Sequence, residues 1–280
     1  MKVLIIGTGL IGGSFALSLK RGGNYRVGGW DSNADHLAGA LDAGIVQESF
    51  SSIVEAIAWA EAIILSVPIS AIQQLLPQVL DQLQPHQFVI DFGSTKGSIC
   101  SLVKEHPLRN RFLAAHPIAG TEYSGPSAAF TELYDGKVMI VCEVGATDVE
   151  VADAFTQMCA LSSMELVFMD AEEHDRHLAY ISHLSHVVAF GLSHVVLQKE
   201  KDGHVILELA GSGLASTVRL AKSSPEMWAP IFLDNKQHIL DGIDELQQRL
   251  QSLRDLVATG DEEAILQFLK EGRNIRKILE

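Results

Sequence analysis

Short apolar runs alternate with helix-like stretches over the first 169 residues of the chain. Most of these runs are continuous, which is typical of parallel strands buried on both faces of a sheet. Strands are predicted at residues 2–6, 26–30, 62–67, 88–92, 112–116, 137–144 and 165–169. Helices are predicted at residues 10–21, 33–43, 51–60, 70–83, 95–105 and 148–161. This alternation predicts an α/β fold with a doubly wound, Rossmann-type parallel sheet.

The pattern becomes helical near Asp170 and remains so to the end of the chain. Long helices are predicted at residues 172–198, 226–258 and 261–279. We therefore expect two domains, with an α/β domain at residues 1–169 followed by an all-helical domain at residues 170–280.

An apolar stripe follows the predicted helix at residues 226–258. Its members recur every three or four residues and are Ile239, Ile243, Leu246, Leu250, Leu253 and Val257. This spacing keeps them on one helix face, which must be buried within the chain or against a second copy. Because two-fold dimers are the commonest assembly, we expect a homodimer formed through the C-terminal helices.

The glycine-rich segment Gly7-Thr8-Gly9-Leu10-Ile11-Gly12 joins the first predicted strand to the first predicted helix. This is the context in which such a motif binds a dinucleotide. Gly7 would allow the tight turn, Gly9 would let the backbone approach a pyrophosphate, and Gly12 would let helix and strand pack closely. The pyrophosphate would lie at the helix N-terminus, against Leu10 and Ile11.

Asp31 follows the second predicted strand, about 20 residues after the glycines. A carboxylate at this point accepts hydrogen bonds from the adenosine ribose hydroxyls and repels a 2′-phosphate. No arginine occupies residues 31–35, where a phosphate-binding residue is expected. The predicted cofactor is therefore NAD rather than NADP. In the alternative reading, Asp31 is only a turn residue before the next helix.

Two further polar side chains follow predicted strands. Ser94 comes after the fourth strand and His116 ends the fifth, at the strand ends where open α/β sheets bind ligands. A neutral imidazole, with an ordinary pKa of about 6.5, can take the hydroxyl proton when an alcohol loses hydride to a nicotinamide. His116 is therefore a candidate base. Ser94 either donates its hydroxyl into the site or caps the following helix.

The predicted helix at residues 172–198 carries five histidines, His174, His177, His183, His186 and His194. At about 100° per residue, His183 lies opposite His174, so the five do not form one cluster and no metal is predicted. His183 and His186 share a face and are candidate hydrogen-bond donors in the cleft. Arg219 could bind a carboxylate through two parallel hydrogen bonds or could be an ordinary surface residue.

Composition restricts the partners and the compartment. The chain has 21 basic and 35 acidic residues, a formal net charge of −14, so neither nucleic acid nor membrane is an expected partner. An anionic substrate would have to be attracted by a few local cations. The three widely spaced cysteines form neither a disulfide framework nor a metal pair, and the N-terminal apolar run is interrupted by glycines. The protein is expected to be cytoplasmic.

Together these motifs resemble the prephenate and arogenate dehydrogenase family of tyrosine biosynthesis. The resemblance spans nearly the whole chain and rests on residues 7–14, 66–68, 91–97, 115–125, 173–175, 182–186 and 219–236. It implies an NAD-dependent oxidative decarboxylation. Hydride leaves the ring carbon that bears the hydroxyl, and carbon dioxide leaves the opposite ring carbon. Prephenate would give 4-hydroxyphenylpyruvate, and arogenate would give tyrosine.

The resemblance also implies roles for particular residues. His116 would act as base on the ring hydroxyl, Ser94 would assist at the same oxygen, and Arg219 would hold a substrate carboxylate. The pocket would be lined by His183, His186, Glu122 and Trp228. The cofactor would contact Ser66, Val67 and Pro68. The chain departs from the family at Ser185, where many members have proline.

Two other functions remain open at this point. One is a two-domain dehydrogenase acting on a β-hydroxyacid or an imine, which usually has a catalytic lysine on a helix of the second domain. Lys222 is the candidate for that role. The other is a nucleotide sensor without a substrate, against which the paired polar segments at residues 91–97 and 116–122 argue.

Overall fold

An eight-stranded sheet forms the core of the first part of the chain in the computed structural model, which describes residues 1–201 and 207–279. The strands are β1 (Lys2–Ile6), β2 (Arg26–Trp30), β3 (Glu48–Ser49), β4 (Ala62–Leu65), β5 (Phe88–Asp91), β6 (Phe112–Pro117), β7 (Val138–Cys142) and β8 (Glu165–Met169). Their order across the sheet is β3-β2-β1-β4-β5-β6-β7-β8. The chain reverses direction across the sheet between β1 and β4, which is where a doubly wound sheet opens a crevice for ligands.

The predicted α/β class is confirmed, with two differences. Strand β7 runs antiparallel to β6, so β7 and β8 oppose the other six strands and the sheet is mixed. Strand β3 was not predicted, because two residues give no readable hydropathy pattern. The six strands that lead to the crevice are all parallel, so their carboxyl ends meet at one edge.

Helices cover both faces of this sheet. They are α1 (Leu10–Arg21), α2 (Ala34–Asp42), α3 (Ile53–Trp59), α4 (Ile69–Gln82), α5 (Gly97–Leu102) and α6 (Val149–Ala160). One core cluster joins the sheet to α1, α2 and α6, whereas the other joins it to α3, α4 and α5. Alternate residues of β1 serve the two clusters, Val3 and Ile5 on one side and Leu4 and Ile6 on the other. This explains why the strand is apolar at every position.

The helical part begins with one continuous helix formed by α7 (Ala171–Leu178), a π-helical turn at Ala179–His183 and α8 (Leu184–Lys201). The π turn holds one more residue than an α turn, so it shifts the helix face by about 100°. His174 and His183 are both buried, and both act on the imidazole of His116. The expectation that they lie opposite each other is wrong, because it assumed a regular α-helix.

The stretch at residues 226–258 is two helices rather than one. After α9 (Ser212–Thr217) come α10 (Pro225–Asp234) and α11 (Lys236–Thr259), which are separated by Asn235. Pro225 starts α10 behind the capping hydroxyl of Ser224, and Gly260, at φ +73°, ends α11. The chain finishes with α12 (Glu262–Gly272) and α13 (Arg276–Leu279). The break at Asn235 matters because its side chain is buried and bonds to Asp175 and His183.

By length and composition alone, the helix Ala171–Lys201 could cross a membrane. A single helix of this kind is weak support for a membrane protein, because core helices of soluble proteins have the same composition.

Candidate functional site

The glycine-rich loop turns sharply between β1 and α1. Gly7 has φ +95°, and a Cβ atom there would lie 2.6 Å from the carbonyl oxygen of Ser66. A Cβ atom on Gly12 would overlap the carbonyl oxygen of Gly7 and the hydroxyl of Ser66. Both positions therefore require glycine for contacts within the protein itself.

Gly9 differs from the other two glycines. A Cβ atom there would meet no atom of the described residues within 4 Å, so the loop is open on this side. Gly9 also precedes α1 without any side-chain cap, which leaves the N–H groups of the first turn, including those of Leu10 and Ile11, free to bind a ligand. An open backbone and uncapped N–H groups fit the pyrophosphate of a dinucleotide.

Asp31 follows β2 and binds the glycine-rich loop. Its Oδ2 accepts hydrogen bonds from the backbone N–H of Thr8 at 2.8 Å and from the Thr8 hydroxyl at 3.1 Å. Its Oδ1 accepts one from the N–H of Asn33 at 2.9 Å. The side chain that caps α2 is Asn33, not Asp31. Each oxygen of a carboxylate can accept more than one hydrogen bond, so Oδ1 retains capacity for a ribose hydroxyl.

The segment Ser66-Val67-Pro68 follows β4, the strand beside β1 at the crevice. The Ser66 hydroxyl donates to the carbonyl of Gly7 at 2.7 Å, and Pro68 directly precedes α4. The hydrogen bond from Ser66 brings this segment against the glycine-rich loop, where the family resemblance implies that the cofactor binds. A dinucleotide thus fits the residues present at this part of the sheet.

The loop after β5 contains a buried ion pair and a free hydroxyl. The Lys96 ammonium contacts the Asp91 carboxylate, and both side chains are fully buried. Ser94 is half-buried and has no hydrogen-bond partner among the described residues. It does not cap α5, whose preceding residue is Lys96 and whose N-terminus has no local side-chain cap. The Ser94 hydroxyl is therefore free to bind a ligand.

Helix α5 is capped from the second domain. Asp175 accepts hydrogen bonds from the backbone N–H groups of Lys96 and Gly97, each at 2.8 Å. Asp234 accepts from the hydroxyls of Thr95 and Ser98, at 2.6 and 2.8 Å. Two carboxylates from the helical domain thus hold the loop after β5 in place.

His116 lies near the end of β6, one strand from that loop, and its Nδ1 is 2.8 Å from Nε2 of His174. Burial, together with the nearby His174, Lys96 and His183, holds the pKa of His116 well below its usual range. The imidazole is therefore neutral at neutral pH and can accept a proton. A neutral, half-buried histidine at a carboxyl strand end suits a general base.

His183 lies on the helical side of the site with only 1% of its surface exposed. The side-chain amide of Asn235 donates to its Nδ1 at 3.1 Å and to the backbone carbonyl of Asp175 at 2.6 Å. Burial lowers the pKa of His183 to about 4, so the ring is neutral. Since Nδ1 accepts, the proton is on Nε2, and His183 is a hydrogen-bond donor.

Trp228 packs against both pocket histidines. Its ring stacks on His186 with 3.5 Å between centroids and meets His183 edge-on at 5.9 Å. His186 donates its Nδ1–H to the carbonyl of Ser182, and burial and Arg219 lower its pKa. Trp228 therefore fixes the orientation of two candidate pocket residues.

Arg219 and Glu122 lie at more open positions. Arg219 begins a short 3₁₀ turn and is exposed, and its charge acts on the buried imidazole of His186. Glu122 is half-buried in the loop after β6. Lys222, the candidate base of the rival dehydrogenase, is exposed, and Ser185 faces outward on α8. The substitution at Ser185 therefore leaves the buried face of that helix unchanged.

The site also includes residues for which sequence analysis assigned no role. These are Asp91, Lys96, His174, Asp175, Asp234 and Asn235. Asp91 and Lys96 could have been found from the sequence, because charged residues are unusual in an otherwise apolar strand–loop segment. Within residues 1–201 and 207–279 no group of three or more His, Cys, Asp or Glu side chains is arranged to hold a metal ion.

The site combines a glycine-rich loop that fits a dinucleotide, a neutral histidine at the same sheet edge and a helical domain packed against that histidine. These features define a two-domain nicotinamide-nucleotide dehydrogenase. Residues 15–163 match the family model described as the nucleotide-binding domain of prephenate dehydrogenase, and residues 170–271 match the one described as its dimerization domain. The chain belongs to the prephenate dehydrogenase family.

Individual relatives agree with this membership. The chain is 30% identical to a prephenate dehydrogenase of Bacillus subtilis, over 98% of this chain and 75% of that protein. It resembles the structure of prephenate dehydrogenase from A. aeolicus in complex with hydroxyphenyl propionate and NAD+, with 32% identity, a TM-score of 0.93 and coverage of 100% and 98%. It also resembles the arogenate dehydrogenase of Synechocystis, with 25% identity, a TM-score of 0.81 and full coverage of both chains.

Proposed function

We propose that the protein catalyses the NAD-dependent oxidative decarboxylation of prephenate to 4-hydroxyphenylpyruvate. The observation that carries this proposal is the neutral imidazole of His116, at the same sheet edge as the glycine-rich loop. Family membership adds the substrate class, a cyclohexadienol with two carboxylates.

The cofactor is NAD, which accepts hydride at its nicotinamide ring when bound. The uncapped first turn of α1, with Gly9, Leu10 and Ile11, would hold its pyrophosphate. The carboxylate of Asp31 would accept from the ribose hydroxyls. Together these residues would hold the dinucleotide at the sheet edge where β6 also ends.

His116 takes the proton of the ring hydroxyl as hydride leaves the same carbon. Ser94 donates to this oxygen, since its hydroxyl has no other described partner. Loss of the opposite carboxylate as carbon dioxide returns an electron pair to the ring and makes it aromatic. The base is neutral before this step because burial disfavours its charged form.

The substrate carboxylates require local positive or donor groups, because the chain as a whole carries a formal charge of −14. Arg219 binds one carboxylate through its guanidinium fork. His183 donates its Nε2–H, and His186 and Trp228 form the pocket wall. Glu122, in the loop after β6, shapes the entrance.

Arogenate is the second candidate substrate, since the chain is also similar to an arogenate dehydrogenase. Prephenate is favoured because the similarity to the A. aeolicus prephenate dehydrogenase is higher in both identity and TM-score. Purified protein should be mixed with each substrate and with NAD or NADP, and reduced nicotinamide followed by absorbance. Faster turnover of prephenate with NAD is expected, and absence of turnover with either substrate would refute the proposal.

The boundary between the two domains lies between residues 169 and 170.

The helical domain forms a homodimer. The description of the second family model supports this assembly. So does the apolar stripe of α11, which is buried at Ile239 but 56% exposed at Leu250 and 62% exposed at Val257. A second copy would cover it. Light scattering at micromolar concentration should give twice the mass of the chain, and the mass of one chain would contradict the dimer.

We also place the protein in the cytoplasm. Its three cysteines are free and buried, as expected for a reducing compartment. Burial raises the pKa of the Cys100 and Cys159 thiols to about 12, so these side chains act as small apolar groups rather than nucleophiles.

A further inference from the structure

The imidazole of His116 is the first member of a hydrogen-bonded chain that leads into the helical domain. His116 Nδ1 lies 2.8 Å from His174 Nε2, and His174 Nδ1 lies 2.8 Å from Asp175 Oδ1. His174 is fully buried, and Asp175 is 6% exposed. The reaction proposed above assigns no role to either residue.

The carboxylate of Asp175 determines which group donates and which accepts in each of these hydrogen bonds. Its two oxygens accept the N–H groups of Lys96 and Gly97 as well as His174. Burial would raise the pKa of Asp175, but the hydrogen bonds from His174, Gly97 and Lys96 outweigh burial and lower it. Asp175 is therefore ionised and can only accept hydrogen bonds.

The tautomers of both histidines follow from that direction. Because Asp175 only accepts, His174 must donate its Nδ1–H, which leaves a lone pair on its Nε2. Burial lowers the pKa of His174, so the ring is neutral and this lone pair is present. His116 must then donate its own Nδ1–H to His174. The remaining nitrogen of His116, Nε2, is left with the lone pair that a base needs.

We propose that His174 and Asp175 are positioning residues that hold His116 in this tautomer and accept its Nδ1 proton during the reaction. This inference rests on the proposed function. Without the hydrogen bonds to His174 and Asp175, the ring of His116 could adopt the tautomer that carries its proton on Nε2. In that tautomer Nε2 has no lone pair and cannot act as a base.

The proton transfer balances over the reaction. The substrate O–H bond breaks as an N–H bond forms at His116 Nε2, while the Nδ1–H bond of His116 breaks and an N–H bond forms at His174 Nε2. The C–H electron pair leaves as hydride to the nicotinamide. When carbon dioxide departs, the electron pair of its bond passes through the ring to the oxygen, which takes the proton back. Meanwhile the positive charge lies on His174, beside the carboxylate of Asp175.

Replacing Asp175 by Asn tests the direction of donation along the hydrogen bonds from His116 through His174 to Asp175. The amide can donate to His174 Nδ1, which would place the His174 proton on Nε2 and force His116 into the tautomer protonated on Nε2. We expect kcat to fall about 10²- to 10⁴-fold. KM for prephenate and Kd for NAD should change less than about threefold, since Asp175 is buried and its oxygens already accept from Lys96, Gly97 and His174.

Two substitutions of His174 separate holding the tautomer from accepting the proton. In His174→Gln the amide oxygen can still accept from His116 Nδ1 but cannot take up a proton, so we expect about a tenfold loss in kcat. His174→Phe removes both functions and should lose as much as Asp175→Asn. His177→Gln, on the exposed side of the same helix, is the matched control and should keep wild-type kcat. Equal losses in the Gln and Phe variants would overturn the proposal.

Nitrogen-15 NMR of the ring nitrogens of His116 gives a readout that a merely structural role would not move. The proton should be on Nδ1 in the wild-type protein and on Nε2 in Asp175→Asn. A wild-type His116 protonated on Nε2 would overturn the proposal even if the Asn variant folded poorly. The NMR measurement needs no substrate, so absence of turnover in the wild type would refute the proposed function and leave the tautomer assignment standing.

Discussion

The cofactor part of the site and the reaction part are built in different ways. Residues 7–31 supply most of the cofactor part, through backbone N–H groups and one carboxylate. The reaction part joins side chains that are far apart in sequence, such as His116 and His174, 58 residues apart, or Thr95 and Asp234, 139 apart. The first depends on local turn geometry, whereas the second forms only when both domains are packed together.

His116→Asn has the largest expected effect and acts on the reaction part alone. The amide cannot accept the hydroxyl proton, so kcat should fall about 10²- to 10⁴-fold, measured by absorbance of reduced nicotinamide. Kd for NAD should stay the same, because the cofactor part is intact. His86→Asn, at an exposed position, is the control. If most of the turnover remained, the base would have to be another group, with Lys222 the candidate to test.

A pair of glycine substitutions tests the cofactor part. Gly12→Ala places a Cβ atom against Gly7 and Ser66, so it should lower the free energy of unfolding by about 1–3 kcal/mol in urea titration. The added Cβ atom of Gly9→Ala lies more than 4 Å from every other atom in the described part of the chain, so the change should leave stability unchanged and raise Kd for NAD about tenfold. A Gly9→Ala protein that bound NAD normally would mean that the pyrophosphate does not approach this part of the loop.

This contrast explains how much could be predicted from sequence. The glycine-rich loop and Asp31 were predicted because a strand, a tight turn and a helix follow one another within a few residues. The link from His116 through His174 to Asp175 was not, because no local pattern shows that two segments 58 residues apart will meet. The π-helical turn at Ala179–His183 added a second obstacle, since it changes the face on which His183 lies.

The buried histidines of the reaction part should make stability depend on pH. Burial lowers the pKa of His183 to about 4, below its value of about 6.5 in an unfolded chain. Between these values the unfolded chain binds more protons, so the free energy of unfolding rises with pH. The stabilisation is fully present above pH 6.5 and is lost as pH falls toward 4.

Urea titrations at pH 6.5 and pH 5 should therefore differ by about 1.6 kcal/mol for His183 alone. His183→Gln, which cannot titrate, should show a correspondingly smaller difference between the two pH values. His194→Gln, which replaces an exposed histidine on α8, should behave like the wild type. An identical pH dependence in His183→Gln and wild type would mean that His183 is not buried as a neutral ring.

Asp31→Ser has the smallest expected effect and concerns cofactor choice. Serine removes the negative charge that repels a 2′-phosphate and weakens the contacts to Thr8, so kcat/KM should fall for NAD and rise for NADP. We expect the ratio of kcat/KM for NAD to kcat/KM for NADP to fall about tenfold, or ~1.4 kcal/mol. Asp35→Ser removes the same charge from an exposed position four residues away and should leave the ratio unchanged. A wild-type preference for NADP, or an equal shift in both variants, would show that the Asp31 carboxylate does not contact the ribose.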